Sequence, residues 1–143
     1  PQMQGRSFLP MVRDPAAPWP EEVFIQVSES ACGRAIRTER WKYYVHAPDA
    51  DPWQQPAAPR YVEAELYDLA HDPYELDNLV GLDSHRDLAD SLRERLLARL
   101  VAAGEEAAAI DPAPVRTRPQ RRVDPTVHSF TLDGVRFGHQ QKT

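Results

Sequence analysis

Three basic residues, Arg37, Arg40 and Lys42, have the types and spacing that could bind an anion. They flank Thr38-Glu39, which suits the turn of a β-hairpin, so their side chains could project together. Guanidinium and ammonium groups bind sulfate, phosphate and carboxylate groups through charge-assisted hydrogen bonds. We therefore take these residues as candidates for contact with an anionic ligand; the alternative is a solvated face of a sheet.

Cys32 is the single cysteine, and its surroundings argue against a nucleophilic role. It lies between Ala31 and Gly33 in a strand-like run and has no histidine beside it in sequence to act as a base. A lone cysteine cannot form a disulfide within the chain, and it leaves a cysteine-based zinc site without ligands. We expect Cys32 to be a small buried residue of the core.

The histidines and carboxylates do not predict a metal site. The five histidines, at positions 46, 71, 85, 128 and 139, lack the i, i+4 spacing of a zinc-binding helix. The acidic run from Asp68 to Asp77 is interrupted by Pro73 and has no glycine at the sixth position of a calcium loop. Caps and turns explain these carboxylates, and we predict no metal ligand and no catalytic residue in this chain.

Length and composition indicate one folded domain. The chain has 143 residues, of which 41% are apolar and 27% are charged. Its 14 prolines fall largely in three clusters, which limit where helices and central strands can form. We expect a linker at residues 1–21, the folded body at 22–104 and a proline- and arginine-rich tail at 105–143. No apolar run approaches the roughly 18 residues that a membrane-spanning helix needs, so we expect no membrane span.

Alternation of apolar and polar residues predicts four strands. Val23, Ile25 and Val27 share one face of a first strand. Residues 31–37 and 40–46 form the two arms of a hairpin, and a fourth strand-like run covers 61–69 after a proline-rich loop at 47–60. We predict that these strands form a four-stranded antiparallel sheet with one apolar face.

One long amphipathic helix follows the strands. It starts near Ser84, ends before Gly104 and carries an apolar stripe at Leu88, Leu92, Leu96 and Leu100. The stripe should cover the dry face of the sheet, which gives an α+β fold. Beyond the helix we expect an irregular tail in which Asp133-Gly134 suits the turn of a small hairpin.

Charge is unevenly distributed along the chain, whose net charge is −5. Residues 62–106 contain 12 acidic and 4 basic residues, whereas residues 107–143 contain 3 acidic and 6 basic ones. The basic cluster of the tail has no aromatic residue between its arginines for base stacking; its members are Arg116, Arg118, Arg121 and Arg122. We therefore expect no nucleic-acid partner, and we keep open a homo-oligomer formed through the tail.

Three strings resemble the C-terminal part of sulfatases of the alkaline-phosphatase superfamily, of the N-sulphoglucosamine sulphohydrolase type. The string Gly5-Arg-Ser-Phe-Leu-Pro10 is similar to the Gly-Arg-Ser-Leu-x-Pro segment that closes the sulfatase catalytic domain. The segment Ala35–Tyr43 is similar to the family's Arg-Thr-Asp-Arg-Tyr-Lys-Tyr hairpin. The segment Glu65–Leu79 resembles Glu-Leu-Tyr-Asp-Leu-x-x-Asp-Pro-x-Glu-x-x-Asn-Leu, a long and specific string that precedes the last helix.

The resemblance implies a fold, an activity and two cofactors. The fold would be the smaller sulfatase subdomain, a four-stranded antiparallel sheet crossed by a long helix and docked on the catalytic domain. Family enzymes hydrolyse sulfate esters with a formylglycine, made from Cys or Ser in Cys/Ser-x-Pro-x-Arg, and with a calcium ion. Cys32 fails this motif because Arg34 and Ile36 stand where the motif needs Pro and Arg. Both cofactors are therefore expected in a missing catalytic domain, and none in this chain.

We expect this chain to be the non-catalytic C-terminal part of a sulfatase-like hydrolase, truncated at Pro1, whose partner is the missing N-terminal catalytic domain. Residues 1–21 would be the linker and the end of that catalytic domain, and residues 22–104 would be the sulfatase C-terminal subdomain. Loop 47–60 and the basic residues Arg37, Arg40 and Lys42 would contribute to the rim of the substrate site. Two alternatives remain. The first is a stand-alone module that binds sulfated or phosphorylated ligands; the second is the C-terminal part of a phosphonate or phosphate ester hydrolase of the same superfamily.

Overall fold

A five-stranded sheet lies at the centre of the fold. The computed structural model describes residues 5–120 and the backbone of residues 121, 130–132 and 135–137. The strands are β1 (Glu22–Val27), β2 (Gly33–Thr38), β3 (Trp41–His46), β4 (Arg60–Asp68), β5 (Asp77–Asn78), β6 (Ala109–Asp111), β7 (Gln120–Arg121), β8 (Phe130–Leu132) and β9 (Val135–Phe137). The large sheet has the order β1-β2-β3-β4-β6, and the helices are α1 (Leu9–Arg13) and α2 (Arg86–Ala102).

Alternate residues of each strand build the face of the sheet that α2 covers. Phe24 pairs in register with Ile36, Ile36 with Tyr43, and Tyr43 with Leu66, so these four side chains share one face. Helix α2 turns its buried residues to this face; they are Ala89, Leu92, Leu96 and Leu100. On β1 it is therefore Phe24 that packs towards the helix, whereas Val23 lies on the other face and is exposed.

Cys32 lies in this core, as predicted. Its relative exposure is 2%, and it belongs to the same apolar cluster as Ile36 and Tyr43. The thiol is free, since the chain has no second cysteine. Burial among apolar side chains agrees with a packing role for this residue.

Helix α2 agrees closely with the predicted helix. A short 3-10 turn, Asp83–His85, precedes it, and the α-helix itself begins at Arg86 rather than near Ser84. The Ser84 hydroxyl hydrogen-bonds the ring of His85 instead of capping the helix. At the other end, Gly104 has a φ of +89°, the left-handed conformation expected of a residue just after a helix.

The predicted four-stranded antiparallel sheet is wrong in one respect, because a fifth strand joins it. After α2 the chain turns back, and β6 pairs parallel with β4, Tyr61 being opposite Ile110. Ile110 and Ala113 enter the core, so this part of the predicted irregular tail is built into the fold. Farther along, the Arg116 amide donates to the Gly81 carbonyl at 2.8 Å, and β7 pairs antiparallel with β5.

Two short strands flank the predicted hairpin turn at Asp133-Gly134. Strands β8 and β9 pair antiparallel, with Phe130 opposite Phe137 and Leu132 opposite Val135. The turn residues themselves lie outside the described residues.

Asn78 completes the edge of β4 where β6 does not reach. Its Oδ1 accepts the amides of Leu66 and Val80, each at 3.0 Å, and its Nδ2 donates to the Ala64 carbonyl at 2.8 Å. The Leu79 amide donates to the Leu66 carbonyl at 2.8 Å. The side chain of this asparagine, which belongs to the Glu65–Leu79 string, therefore forms hydrogen bonds that a neighbouring strand would otherwise form with β4.

No helix in the described part of the chain is both long enough and apolar enough to cross a membrane.

Candidate functional site

The N-terminal segment, residues 5–21, carries apolar side chains that the rest of the described chain does not cover. Every residue from Gly5 to Ala16 is exposed, and α1 buries none of its residues. The exposed fractions of Phe8, Leu9 and Val12 are 65%, 52% and 68%. A run of exposed apolar residues of this kind is typical of a surface that another protein or domain covers.

A cleft of about 640 Å³ lies where the N-terminal segment meets β1 and the end of α2. Trp19, Val23 and Phe24 supply apolar walls, and Ala102 and Ala103 close it at the C-terminal end of α2. Val23 is 53% exposed. The cleft thus extends the exposed apolar surface from the N-terminal segment onto the start of β1.

Charge at this cleft is predominantly positive. The Arg6 guanidinium lies 5.8 Å from the centre of the Trp19 ring, within the range of a cation–π contact. Glu22 accepts hydrogen bonds from both Arg95 and Arg99, with a distance of 2.5 Å from Arg99 Nε to Oε1. Burial alone would raise the pKa of Glu22, but these hydrogen bonds outweigh it and the pKa is lowered. One carboxylate facing two guanidinium groups leaves one positive charge without a partner.

The predicted anion-binding residues do not form one free basic cluster. Arg40 donates to both carboxylate oxygens of Asp68, at 3.0 and 2.8 Å, and its guanidinium lies 4.6 Å from the Trp41 ring centre. The hydrogen bonds that Asp68 accepts, chiefly the one from Arg40, lower its pKa. Lys42 Nζ lies 2.5 Å from Glu75 Oε2. Two of the three predicted charges are therefore neutralised by carboxylates.

Arg37 is the predicted residue whose charge stays available. It lies opposite Lys42 in the β2–β3 register, on the face of the sheet away from α2. It is exposed, and within residues 5–120 it has no hydrogen-bond or ion-pair partner.

Loop 47–60 is held in place by Arg34, a residue that the sequence did not single out. The Arg34 side chain is only 1% exposed; it donates to Glu105 at 2.8 and 3.0 Å and to the carbonyl of Pro56 at 2.6 Å. Burial lowers the pKa of Arg34, but the hydrogen bond to Glu105 more than restores it. The loop and the start of β4 line a cavity of about 260 Å³, and Arg60 and Asp111 are the charged residues that line it together with Asp49.

Glu63 is a second buried charge that the sequence did not single out. Its carboxylate accepts hydrogen bonds from the Tyr43 hydroxyl, from Arg86 and Arg93, and from the amide of Ala113, at 2.8 to 3.1 Å. One side chain thus links the sheet, α2 and the segment after β6. Burial beside this carboxylate raises the pKa of Tyr43. The only signal in the sequence is a charged residue in the middle of an otherwise β-prone run.

Comparison with known proteins places the chain in a family. Residues 1–102 match the family model described as N-sulphoglucosamine sulphohydrolase, C-terminal. Among solved structures, the putative sulfatase yidJ from Bacteroides fragilis is similar over 59% of this chain, with 21% sequence identity and a TM-score of 0.43. The chain spans 16% of the length of that protein. A search of curated proteins gives no match. Because the family model covers most of the chain, this protein belongs to the N-sulphoglucosamine sulphohydrolase C-terminal family, a family of sulfatase C-terminal domains.

Proposed function

We propose that this chain is the non-catalytic C-terminal part of a sulfatase-type hydrolase of sulfate esters, and that it completes and stabilises the catalytic domain. Membership of a sulfatase C-terminal family implies a catalytic domain as the partner. The observation that carries the proposal is the exposure of Phe8, Leu9 and Val12, which the described chain leaves uncovered. Full burial of each such side chain stabilises an interface by roughly 1.5–3 kcal/mol.

The chemistry of the reaction belongs to the catalytic domain in this proposal. Among the described residues, no three His, Cys, Asp or Glu side chains lie together as a group that could hold a metal ion. Cys32 is buried and lacks the residues of the formylglycine motif. The nucleophile and the calcium ion of the parent enzyme would both lie outside this chain.

Loop 47–60 and Arg37 are the parts of this chain that would reach the rim of the substrate site. The loop is ordered by Arg34, by a hydrogen bond from the Ala58 amide to the Tyr61 hydroxyl at 3.0 Å, and by turns at Asp51. Arg37 offers an uncompensated positive charge to a sulfated substrate. Arg40 and Lys42 would position the rim through their ion pairs with Asp68 and Glu75 rather than bind sulfate.

The test replaces two exposed apolar residues in the full-length enzyme. The double variant Leu9→Asp, Val12→Asp should lower the midpoint of thermal inactivation by roughly 5 °C or more, because two carboxylates would be buried at the interface. Turnover of a chromogenic aryl sulfate should fall with it. Tyr74→Asp is the matched control, since Tyr74 is 81% exposed and lies in another part of the chain.

Two results would contradict the proposal. If the double variant and the Tyr74→Asp control both behave as the unaltered enzyme, the N-terminal segment does not contact the catalytic domain. If the purified 143-residue chain hydrolyses the aryl sulfate in calcium buffer above background, the chain is not a non-catalytic part. Salt-sensitive binding of sulfated ligands by the chain alone, abolished by Arg37→Ala, would favour the stand-alone module instead.

A further inference from the structure

The two edge strands of the large sheet, β4 with β6 on one side and β1 on the other, differ in how far their outer backbone groups are hydrogen-bonded. Along β4, the outer edge is closed by β6 at residues 60–62 and by Asn78 and Leu79 at Ala64 and Leu66. Along β1, the six residues pair with β2, and nothing within residues 5–121 forms a backbone hydrogen bond to the outer edge. One edge is closed over most of its length, and within the described residues the other is open.

Strand β1 has few of the features that normally keep an open edge from pairing. Natural edge strands carry lysines, prolines, inward charges or bulges. Strand β1 contains no Lys and no Pro, and its pairing with β2 is regular over all six residues. The bulge of this sheet lies between β3 and β4 instead. The single charge of β1, on Glu22, lies on the face that α2 covers, and it is compensated there by Arg95 and Arg99.

The cleft of about 640 Å³ lies directly beside this edge. An added strand forms main-chain hydrogen bonds with the edge, and its alternate side chains need pockets. Trp19, Val23 and Phe24 provide an apolar pocket at the start of β1. Arg6 and Arg99 line the cleft together with one carboxylate, Glu22, and this surplus of positive charge would attract a carboxylate on the added strand.

We propose that the β1 edge accepts an extended segment of the sulfatase catalytic domain, which adds a sixth strand to the sheet. The segment is apolar and carries at least one acidic side chain. This proposal rests on the proposed function, since it names the way in which the catalytic domain docks. The occupant is the catalytic domain rather than a second copy because the exposed apolar N-terminal segment runs directly into β1 and would be covered with it.

Residue-resolved hydrogen exchange tests the proposal. Amides alternate in direction along a strand, so every second amide of β1 is bonded to β2 and the others point outwards. In the 143-residue chain alone the outward amides should exchange fast. In the full-length enzyme the same amides should exchange about 100-fold more slowly, as expected for amides in a paired strand.

A pair of arginine variants tests the chemistry of the added strand. In the full-length enzyme, Arg6→Glu should speed exchange of the outward β1 amides about 10-fold, because it repels the acidic side chain. Arg13→Glu is the matched control, since Arg13 is equally exposed in the N-terminal segment but does not line the cleft. Equal effects of the two variants would overturn the assignment of an acidic strand.

The outcomes separate this proposal from the proposed function. If Leu9→Asp, Val12→Asp destabilises the full-length enzyme but the outward β1 amides exchange fast in it, the domains dock without strand addition and this inference is overturned alone. If the outward amides are protected in the 143-residue chain alone and the chain sediments as a dimer, a second copy occupies the edge. That result would also overturn the inference.

Discussion

Arg34 and Glu63 show how single residues fix this fold. Each is a charged side chain on the apolar face of the sheet; Arg34 lies on the same face of β2 as Ile36, and Glu63 lies opposite Val45. Each is buried because its partners arrive from far along the chain, Glu105 for Arg34 and Ala113 for Glu63. Strand alternation in the sequence predicts which face a residue occupies, but it cannot predict partners 50 to 71 residues away.

The substitution Glu63→Gln should destabilise the isolated chain by about 3 kcal/mol. The glutamine side chain would keep one acceptor but place an amide donor against two guanidinium groups, which leaves buried donors without acceptors. Urea unfolding followed by circular dichroism measures the change. Glu39→Gln, at an exposed turn position, should change the free energy of unfolding by less than about 0.5 kcal/mol. Equal stability of the two variants would show that the Glu63 hydrogen bonds do not stabilise the fold.

At the level of elements, long periodic segments were predictable and short ones were not. Strands β1 to β4 and helix α2 lie close to their predicted positions, because each contains a full period of apolar residues. Strand β6 has three residues and follows an alanine-rich run, so its sequence contains no strand period. Its position depends on tertiary contacts, namely the apolar pocket for Ile110 and the pairing with β4.

The contribution of β6 can be measured with one substitution. Ile110→Ala should lower the free energy of unfolding of the 143-residue chain by about 2 kcal/mol, since it leaves a cavity at the edge of the core. Val115→Ala is the control, because Val115 is 74% exposed and a few residues farther along the same segment. Its effect should stay below about 0.5 kcal/mol. If both substitutions cost the same, β6 contributes no core packing.

For the molecule as a whole, the carboxylates of Glu22 and Asp68 should make the free energy of unfolding depend on pH. The pKa of each is lowered in the folded chain from ordinary values of 4.5 and 3.8. A lowered pKa stabilises the fold above the ordinary value, and this stabilisation is lost as the pH falls through the folded value. Urea unfolding should therefore show a falling free energy of unfolding below about pH 4.5.

The double variant Glu22→Gln, Asp68→Asn tests that assignment. It should be less stable than the unaltered chain at pH 7, and its loss of stability between about pH 5 and pH 3 should be smaller, roughly half. The single variant Glu39→Gln should retain the original dependence on pH. An unchanged pH dependence in the double variant would show that other carboxylates are responsible.

The candidate surface was less predictable than the fold. The sequence predicted residues 1–21 to be a linker and the end of a catalytic domain, but apolar residues in such a segment do not reveal whether the body of this chain covers them. Only the folded structure shows that Phe8, Leu9 and Val12 are exposed. In the same way, the hairpin spacing predicted that Arg37 and Lys42 lie close together. It did not predict that Glu75 would form an ion pair with Lys42.

The parallel pairing of β6 with β4 makes β4, α2 and β6 a β-α-β crossover unit. Of the five strands of the large sheet, a growing chain produces β1 first and β6 last, with β4 and α2 between them. On the ribosome, the β1 edge would emerge while β4 still lacks its neighbour. Strand pairing by an already folded catalytic domain could therefore begin at β1 before the sheet closes at β6, so the order of synthesis would favour the intended partner over a second copy.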